Sequence, residues 1–150
     1  MSADVCHCAA VRQAGRWITQ LYDEHLAAVG LRSTQFAVLS QLDRGGPLGI
    51  VGLAEAMVMD RTTITRTVTP LERDGLVAIE AAEGDRRRRV VTLTAKGRTV
   101  LAAARPHWRR AQAAFERHFG ADEATAMRGL LRAVPQGRRP KPAHPDPAGH

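Results

Sequence analysis

Four consecutive arginines, Arg86, Arg87, Arg88 and Arg89, follow Asp85 in the stretch GDRRRRVVTLT, residues 84–94. Guanidiniums at that density repel one another, so the cluster is tolerable only where water or an anionic partner offsets the repulsion. A second unusual run precedes it. Arg61, Thr62, Thr63, Thr65, Arg66 and Thr69 interleave with Ile64, Val68 and Leu71, which recur at helical spacing. Threonine is a mediocre helix former because its branched side chain loses freedom against the preceding turn. Five threonines between 62 and 69 are therefore costly if their face meets only water. Hydroxyls and guanidiniums are the groups that hydrogen-bond phosphates and base edges. A solvated polar face accounts for the threonines alone; contact with nucleic acid accounts for the threonines and the arginines together.

Other chemistries find less support. The chain has no Gly-rich phosphate loop and no plausible nucleophile–base pair, so an enzyme is not expected. The only cysteines, Cys6 and Cys8, stand two apart near the N-terminus, which is no disulfide framework. Cys6-His7-Cys8 offers three metal-ligand types, but three ligands at that spacing rarely face one ion, and His25 is the only extra nearby. Neither a metal nor a cofactor is expected. Arg12 is placed to favour a thiolate at Cys8 by charge, and a Cys6–Cys8 disulfide would be strained. The plain alternative is that Cys8 is a small buried apolar residue at a helix start.

The composition agrees with a nucleic-acid partner. Twenty-two Lys and Arg against 15 Asp and Glu leave a formal charge of +7 on 150 residues. Apolar residues make up 44%, enough for one domain with a real core, and aromatic residues only 4%, few for a base-stacking single-strand binder. No run is long and apolar enough for a bilayer and no signal-peptide pattern is present, so the cytoplasm is the expected location, with no membrane partner.

The elements that must position these residues follow from periodicity and punctuation. Residues 8–29 read as a helix with Val11, Ile18, Leu21, Tyr22, His25 and Val29 in register and Gly30 as its stop. Residues 34–44 read as a second, capped by Ser33 and ended by Gly45-Gly46-Pro47. Ile50 to Met57, a tight turn at Val58-Met59, and a helix from Arg61 capped by Asp60 form a helix-turn-helix. Pro70 predicts a kink or break that confines the reading portion to 61–69. Strands are expected over Leu76–Glu80 and Arg89–Leu93, with Gly84-Asp85 as the turn, Arg86–Arg88 on the hairpin tip, and Asp85 holding one arginine by a charge-assisted bond. Thr94 caps a long helix to Phe119, weakened locally by Gly97 and Pro106, and Asp122 caps a last one with Met127, Leu130, Leu131 and Val134 aligned. The fold class is mostly α with a small β-hairpin wing. The expected organisation is a flexible N-terminus (1–7), one domain (8–134) and a disordered, basic, Pro-rich tail (135–150). Within the domain, 34–93 is the DNA-binding part, and the helices about 8–29 and 95–134 bury their apolar faces by dimerising.

This order of elements resembles the MarR family of bacterial transcriptional regulators over about residues 8–134. The most specific stretches are LRSTQFAVLSQL (31–42), LAEAMVMDRTTITRTVTPLERDGLV (53–77) and GDRRRRVVTLTAKG (84–97). The resemblance implies a homodimeric winged helix on a pseudo-palindromic double-stranded DNA operator, usually a repressor released by a small molecule or an oxidant. It places the DNA contacts on Arg61, Thr62, Thr63, Thr65, Arg66, Thr69, Asp85, Arg86, Arg87 and Arg88. The family's Asp-x-Arg wing pattern falls on Asp85, which orients the wing, and Arg87, which enters the minor groove. In the family's peroxide-sensing branch a reactive cysteine lies 22 residues before a helix-ending glycine and 14 before a tyrosine, spacings met by Cys8, Gly30 and Tyr22. That branch's second tyrosine is Arg12 here, and no later cysteine exists to resolve a sulfenic acid. Family members often bind small phenolic or carboxylate compounds between the dimer helices and the winged helix, which makes Trp17, Tyr22 and His25 candidate pocket residues and Arg16 a candidate anion partner. The rival class is a winged helix used for protein or RNA contacts.

Overall fold

The computed structural model describes residues 6–136. Six helices and one hairpin follow in the order α1 (His7–Leu26), α2 (Ser33–Gly45), α3 (Ile50–Met57), α4 (Arg61–Arg73), β1 (Val77–Ala82), β2 (Asp85–Leu93), α5 (Ala95–Phe119) and α6 (Ala121–Ala133). The tail expectation lies almost wholly outside the described residues. At the other end, α1 already includes His7, one residue inside the expected flexible segment.

Helix α1 stops earlier than its periodicity suggests. It tightens into a 3-10 turn over Ala27–Val29, and Gly30 takes the left-handed conformation (φ 71°) that ends it. Helix α2 begins at Ser33, with Arg32 rather than Ser33 at the cap position. The reason is local hydrogen bonding: Gln35 Oε1 accepts the Arg32 N–H (2.9 Å), and Asp23 of α1 accepts the Ser33 N–H (2.7 Å). The open N–H groups are thereby satisfied without a serine cap. Similarly, α6 is preceded by Gly120 at the cap position, and Asp122 sits in its first turn, where a carboxylate still favours the helix N-terminus.

Helix α4 runs unbroken through Pro70, against the expected kink or break. Proline deletes the bond that its own nitrogen would have made and crowds the carbonyl of the preceding turn, but both costs are local. Val68 and Leu71, on either side, are buried at 2% and 1% exposure and hold the two halves on one core. Pro106 likewise leaves α5 continuous. Thr94 caps α5 by accepting the Gly97 N–H at 2.9 Å. Gly97 is required there, because a Cβ would stand 2.0 Å from the Leu76 carbonyl oxygen.

The hairpin is longer than expected. β1 pairs antiparallel with β2 from Val77↔Leu93 to Ala81↔Arg89, then jumps to Ala82↔Asp85. Arg86, Arg87 and Arg88 therefore belong to β2, as a bulge without opposing residues, rather than to the turn. The turn itself is Glu83-Gly84, with Gly84 at φ 78°. Leu48, before α3, adds a bridge to Val91 through paired bonds of 2.8 and 3.2 Å. That bridge ties the sheet to the helix-turn-helix.

The core lies where α2, α3, α4, the hairpin and the N-terminal half of α5 meet. Leu39, Leu53, Ile64 and Leu101 are fully buried in it. Helices α1 and α6 contribute little: Leu26 and Ala124 are their only buried residues.

Candidate nucleic-acid interface

Asp60 starts the site. Its Oδ1 accepts the Thr63 N–H and its Oδ2 accepts the Thr63 hydroxyl, both at 2.8 Å. The backbone bond from Thr63, and then the side-chain bond, hold the Asp60 carboxyl below its usual range. Thr63, expected among the DNA contacts, thus has its hydroxyl hydrogen committed to the cap. Val58, in the turn before it, takes the left-handed conformation (φ 52°) normally left to glycine or asparagine.

The core side of α4 is Ile64, Val68 and Leu71, while Arg61, Thr62, Thr65, Arg66, Thr69 and Arg73 are exposed. The Arg61 and Arg66 guanidiniums make no hydrogen bond or ion pair among the described residues. The threonines differ from the expected free donors. Thr65, Thr67 and Thr69 donate their hydroxyls to the carbonyls of Arg61, Thr63 and Thr65 at 2.8, 2.9 and 2.8 Å. With the hydroxyl hydrogen spent, what these side chains have left for a partner is a methyl group and oxygen lone pairs.

On the wing, Asp85 Oδ1 accepts the main-chain N–H of Arg87 at 3.0 Å. The expected guanidinium bond is replaced by one that fixes the backbone of the bulge, because the carboxylate of residue 85 lies nearest the amide two residues on. Arg89 turns back across the hairpin to donate to the Ile79 carbonyl (2.9 Å). The exposed side chains of Arg86, Arg87 and Arg88 make no bond to any described residue, so three cations stand ready for an anion.

A second feature lies between α1, α2, α3 and α5. A cavity of about 570 Å³ is lined by Tyr22, Phe36, Met57, Arg44, Arg105, Trp108 and Arg109, among others. Phe36 and Trp108 stack across it with ring centroids 5.9 Å apart. Arg105 pairs with Asp43 at 2.7 Å, whereas Arg109 makes no bond to a described residue. Of the four residues expected to line a pocket, only Tyr22 does. Arg16 is exposed, Trp17 stacks on His118 at 4.6 Å, and His25 Nδ1 bonds its own helix at the Leu21 carbonyl (2.8 Å). None of the three reaches the cavity: Arg16 and Trp17 lie on another side of α1, and His25, on the same face as Tyr22, is turned back onto its own helix. The sequence reading missed Arg44, Arg105 and Arg109, whose convergence depends on α2 meeting α5. Tyr22 also borders a second cavity of about 370 Å³ between α1, α5 and α6. Its hydroxyl donates to Gln112 Oε1, and burial, then the charge of Glu116, push its pKa up against the opposing Arg128.

Cys8 is exposed, not buried, while Cys6 Sγ accepts the Ala9 N–H at 3.4 Å and caps α1. Fourteen residues of helix set Cys8 about 21 Å from Tyr22 along the axis. The two do not meet within one chain. Among the described residues no three His, Cys, Asp or Glu side chains cluster as a metal site, and no helix is long and apolar enough to cross a membrane.

Comparison with known proteins places this geometry. Residues 31–88 match the model of the MarR family. The chain is 32% identical over 122 residues to the transcriptional regulator HosA of Escherichia coli, covering 78% of this chain and 90% of HosA. It is 31% identical over 124 residues to the transcriptional repressor NicR of Pseudomonas putida, covering 83% and 78% of the two chains. Among solved structures it is similar to the M. tuberculosis transcriptional regulator MosR, at 34% identity and a TM-score of 0.76 over 91% of this chain and 100% of that one. MosR has also been solved in complex with DNA, and that structure matches with a TM-score of 0.73 over 89% and 99%.

Proposed function

The chain belongs to the MarR family of DNA-binding transcriptional regulators, and from that premise we propose that it acts as a homodimeric repressor, released from a pseudo-palindromic operator by a small ligand. The observation that carries the proposal is the pairing of a capped helix, whose Arg61 and Arg66 make no bond to a described residue, with a wing whose three bulged arginines likewise have no partner among the described residues. On this reading Arg61, Thr62, Thr63, Thr65, Arg66 and Thr69 serve the major groove, Thr63 through the cap. Arg86, Arg87 and Arg88 reach phosphates and the minor groove on a backbone set by Asp85. The DNA-binding part spans about 34–93, and the helices about 8–29 and 95–134 pair two copies.

Exposed apolar residues support the dimer. Val11, Trp17, Phe119, Leu130, Leu131 and Val134 are 43–73% exposed, and all lie on or directly after α1, α5 and α6. Apolar surface grouped in that way usually marks an interface, and a two-fold dimer matches a two-fold site. The cavity beside Tyr22 supports the ligand, with stacked aromatics for a flat apolar body and Arg109 for an anionic end. Of the relatives, NicR is named a repressor and BadR of Rhodopseudomonas palustris an activatory protein; repression rests on NicR, which matches over 83% of this chain against 49% for BadR.

Exposure of Cys8 favours one second reading, release by an organic hydroperoxide that oxidises its thiolate to a sulfenic acid and leaves as the alcohol. One titration separates the two. Fluorescence anisotropy of the reduced protein on its own upstream DNA gives saturable, site-specific binding. Loss of that binding on adding hydroperoxide, with recovery by thiol, selects the oxidant; indifference to hydroperoxide selects the ligand. Equal binding to any duplex overturns the operator reading.

A further inference from the structure

We infer that α4 reads thymine through methyl groups, with Thr65 and Thr69 as the residues that select it. The inference rests on α4 being the helix that enters the major groove. Both side chains are exposed and one turn apart on α4, beside the buried stripe of Ile64, Val68 and Leu71. Each hydroxyl hydrogen is spent inside the helix, Thr65 on the Arg61 carbonyl and Thr69 on the Thr65 carbonyl, both at 2.8 Å. A hydroxyl has one hydrogen to donate. Neither side chain has a donor left for guanine O6 or N7, adenine N7 or thymine O4, the acceptors of the major groove. The γ-methyl is the apolar group each exposed side chain has left to offer, and thymine's C5-methyl is the apolar feature that the major groove offers. The free cations Arg61 and Arg66 on the same helix are suited to guanine acceptors, so the threonine stripe adds a different base to the site rather than repeating theirs.

The test removes the same methyl group from either side of the contact. A duplex is recovered from a random pool by the full-length protein, and each thymine of a half-site is replaced in turn by deoxyuridine. At one or two positions wild-type affinity is expected to fall about fourfold, the worth of one buried methyl group. Thr65→Ser or Thr69→Ser keeps the internal hydrogen bond but loses the methyl. Each is expected to bind the thymine duplex about fourfold more weakly and to ignore the thymine-to-uracil change at its own position. Thr65→Val or Thr69→Val keeps the methyl and is expected to keep the discrimination. The inference is overturned if no thymine recurs in the recovered half-sites, if wild type ignores every deoxyuridine, or if the serine variants discriminate while the valine variants do not. The deoxyuridine series needs no protein variant, so misfolding cannot mimic its result. A protein that prefers no duplex at all refutes the operator reading itself; a site-specific protein indifferent to methyl groups refutes only this inference.

Discussion

Arg87 stands at the middle of the bulge, with its backbone N–H held by Asp85 and its guanidinium without a partner among the described residues. Arg87→Ala removes the cation that the proposed function sets against a phosphate or the minor groove, without touching the core. It is expected to weaken operator binding several-fold or more and to lower the slope of log affinity against log salt by about 0.9 for each phosphate no longer neutralised. Salt titrations of both proteins check this; unchanged affinity would show that the wing does not bind. Asp60 makes a prediction of the opposite kind, on stability. Its carboxyl is held below the ordinary value of 3.8 by bonds that exist only in the folded chain. The unfolded carboxylate therefore takes up a proton first as pH falls. The cap's contribution is full near neutrality and is lost as pH drops below about 3.8 through the folded value. Asp60→Asn keeps an acceptor for Thr63 and should flatten that part of the acid-unfolding profile, whereas Asp60→Ala should lower the denaturation midpoint even at neutral pH. Gly97 shows how little room a core position has. Gly97→Ala drives a methyl into the Leu76 carbonyl and is expected to cost about 1–3 kcal/mol in denaturant unfolding.

At the scale of elements, the turn between α3 and α4 stores strain in a single residue. Val58 is 72% exposed and has positive φ, so its side chain adds little burial and crowds its own carbonyl. An L-residue there costs roughly 1–2 kcal/mol, and the greater backbone freedom of glycine when unfolded returns part of that. Val58→Gly is expected to raise the unfolding free energy by up to about 1 kcal/mol, read as a higher denaturant midpoint with an unchanged m-value; a lower midpoint would show that the valine packs usefully. Elements fixed by local chemistry could be read from the sequence: Asp60 and Thr94 as caps, Gly30 as a stop, and Ile50–Met57 as the first helix of the pair. Features that depend on tertiary packing could not. Proline's local penalty at position 70 is outweighed by Val68 and Leu71 on one core. A run of arginines carries no alternation that would reveal a strand, and a bulge has no compositional signal at all. Arg44 and Arg109 are far apart along the chain, and only the packing of α2 on α5 brings them to the cavity that Tyr22 borders.

The whole molecule combines a net charge of +7 with two incompletely buried helical ends. The charge draws the protein to any duplex and accounts for non-specific affinity. Specificity on a two-fold site needs two reading heads at a fixed spacing, and the exposed apolar face of α1, α5 and α6 offers the means. Leu131→Glu places a charge on that face and is expected to convert a dimer to a monomer by sedimentation, with loss of tight operator binding but retained helix content. The central claim, a sequence-specific regulator whose wing and α4 grip DNA, meets its most direct test in one titration. The reduced protein is titrated onto a labelled duplex of its own upstream sequence, and onto a scrambled duplex, at several salt concentrations. The account predicts nanomolar binding to the upstream site, with a preference for it that survives as salt rises while non-specific binding collapses. Equal affinity for both duplexes at every salt concentration would contradict it.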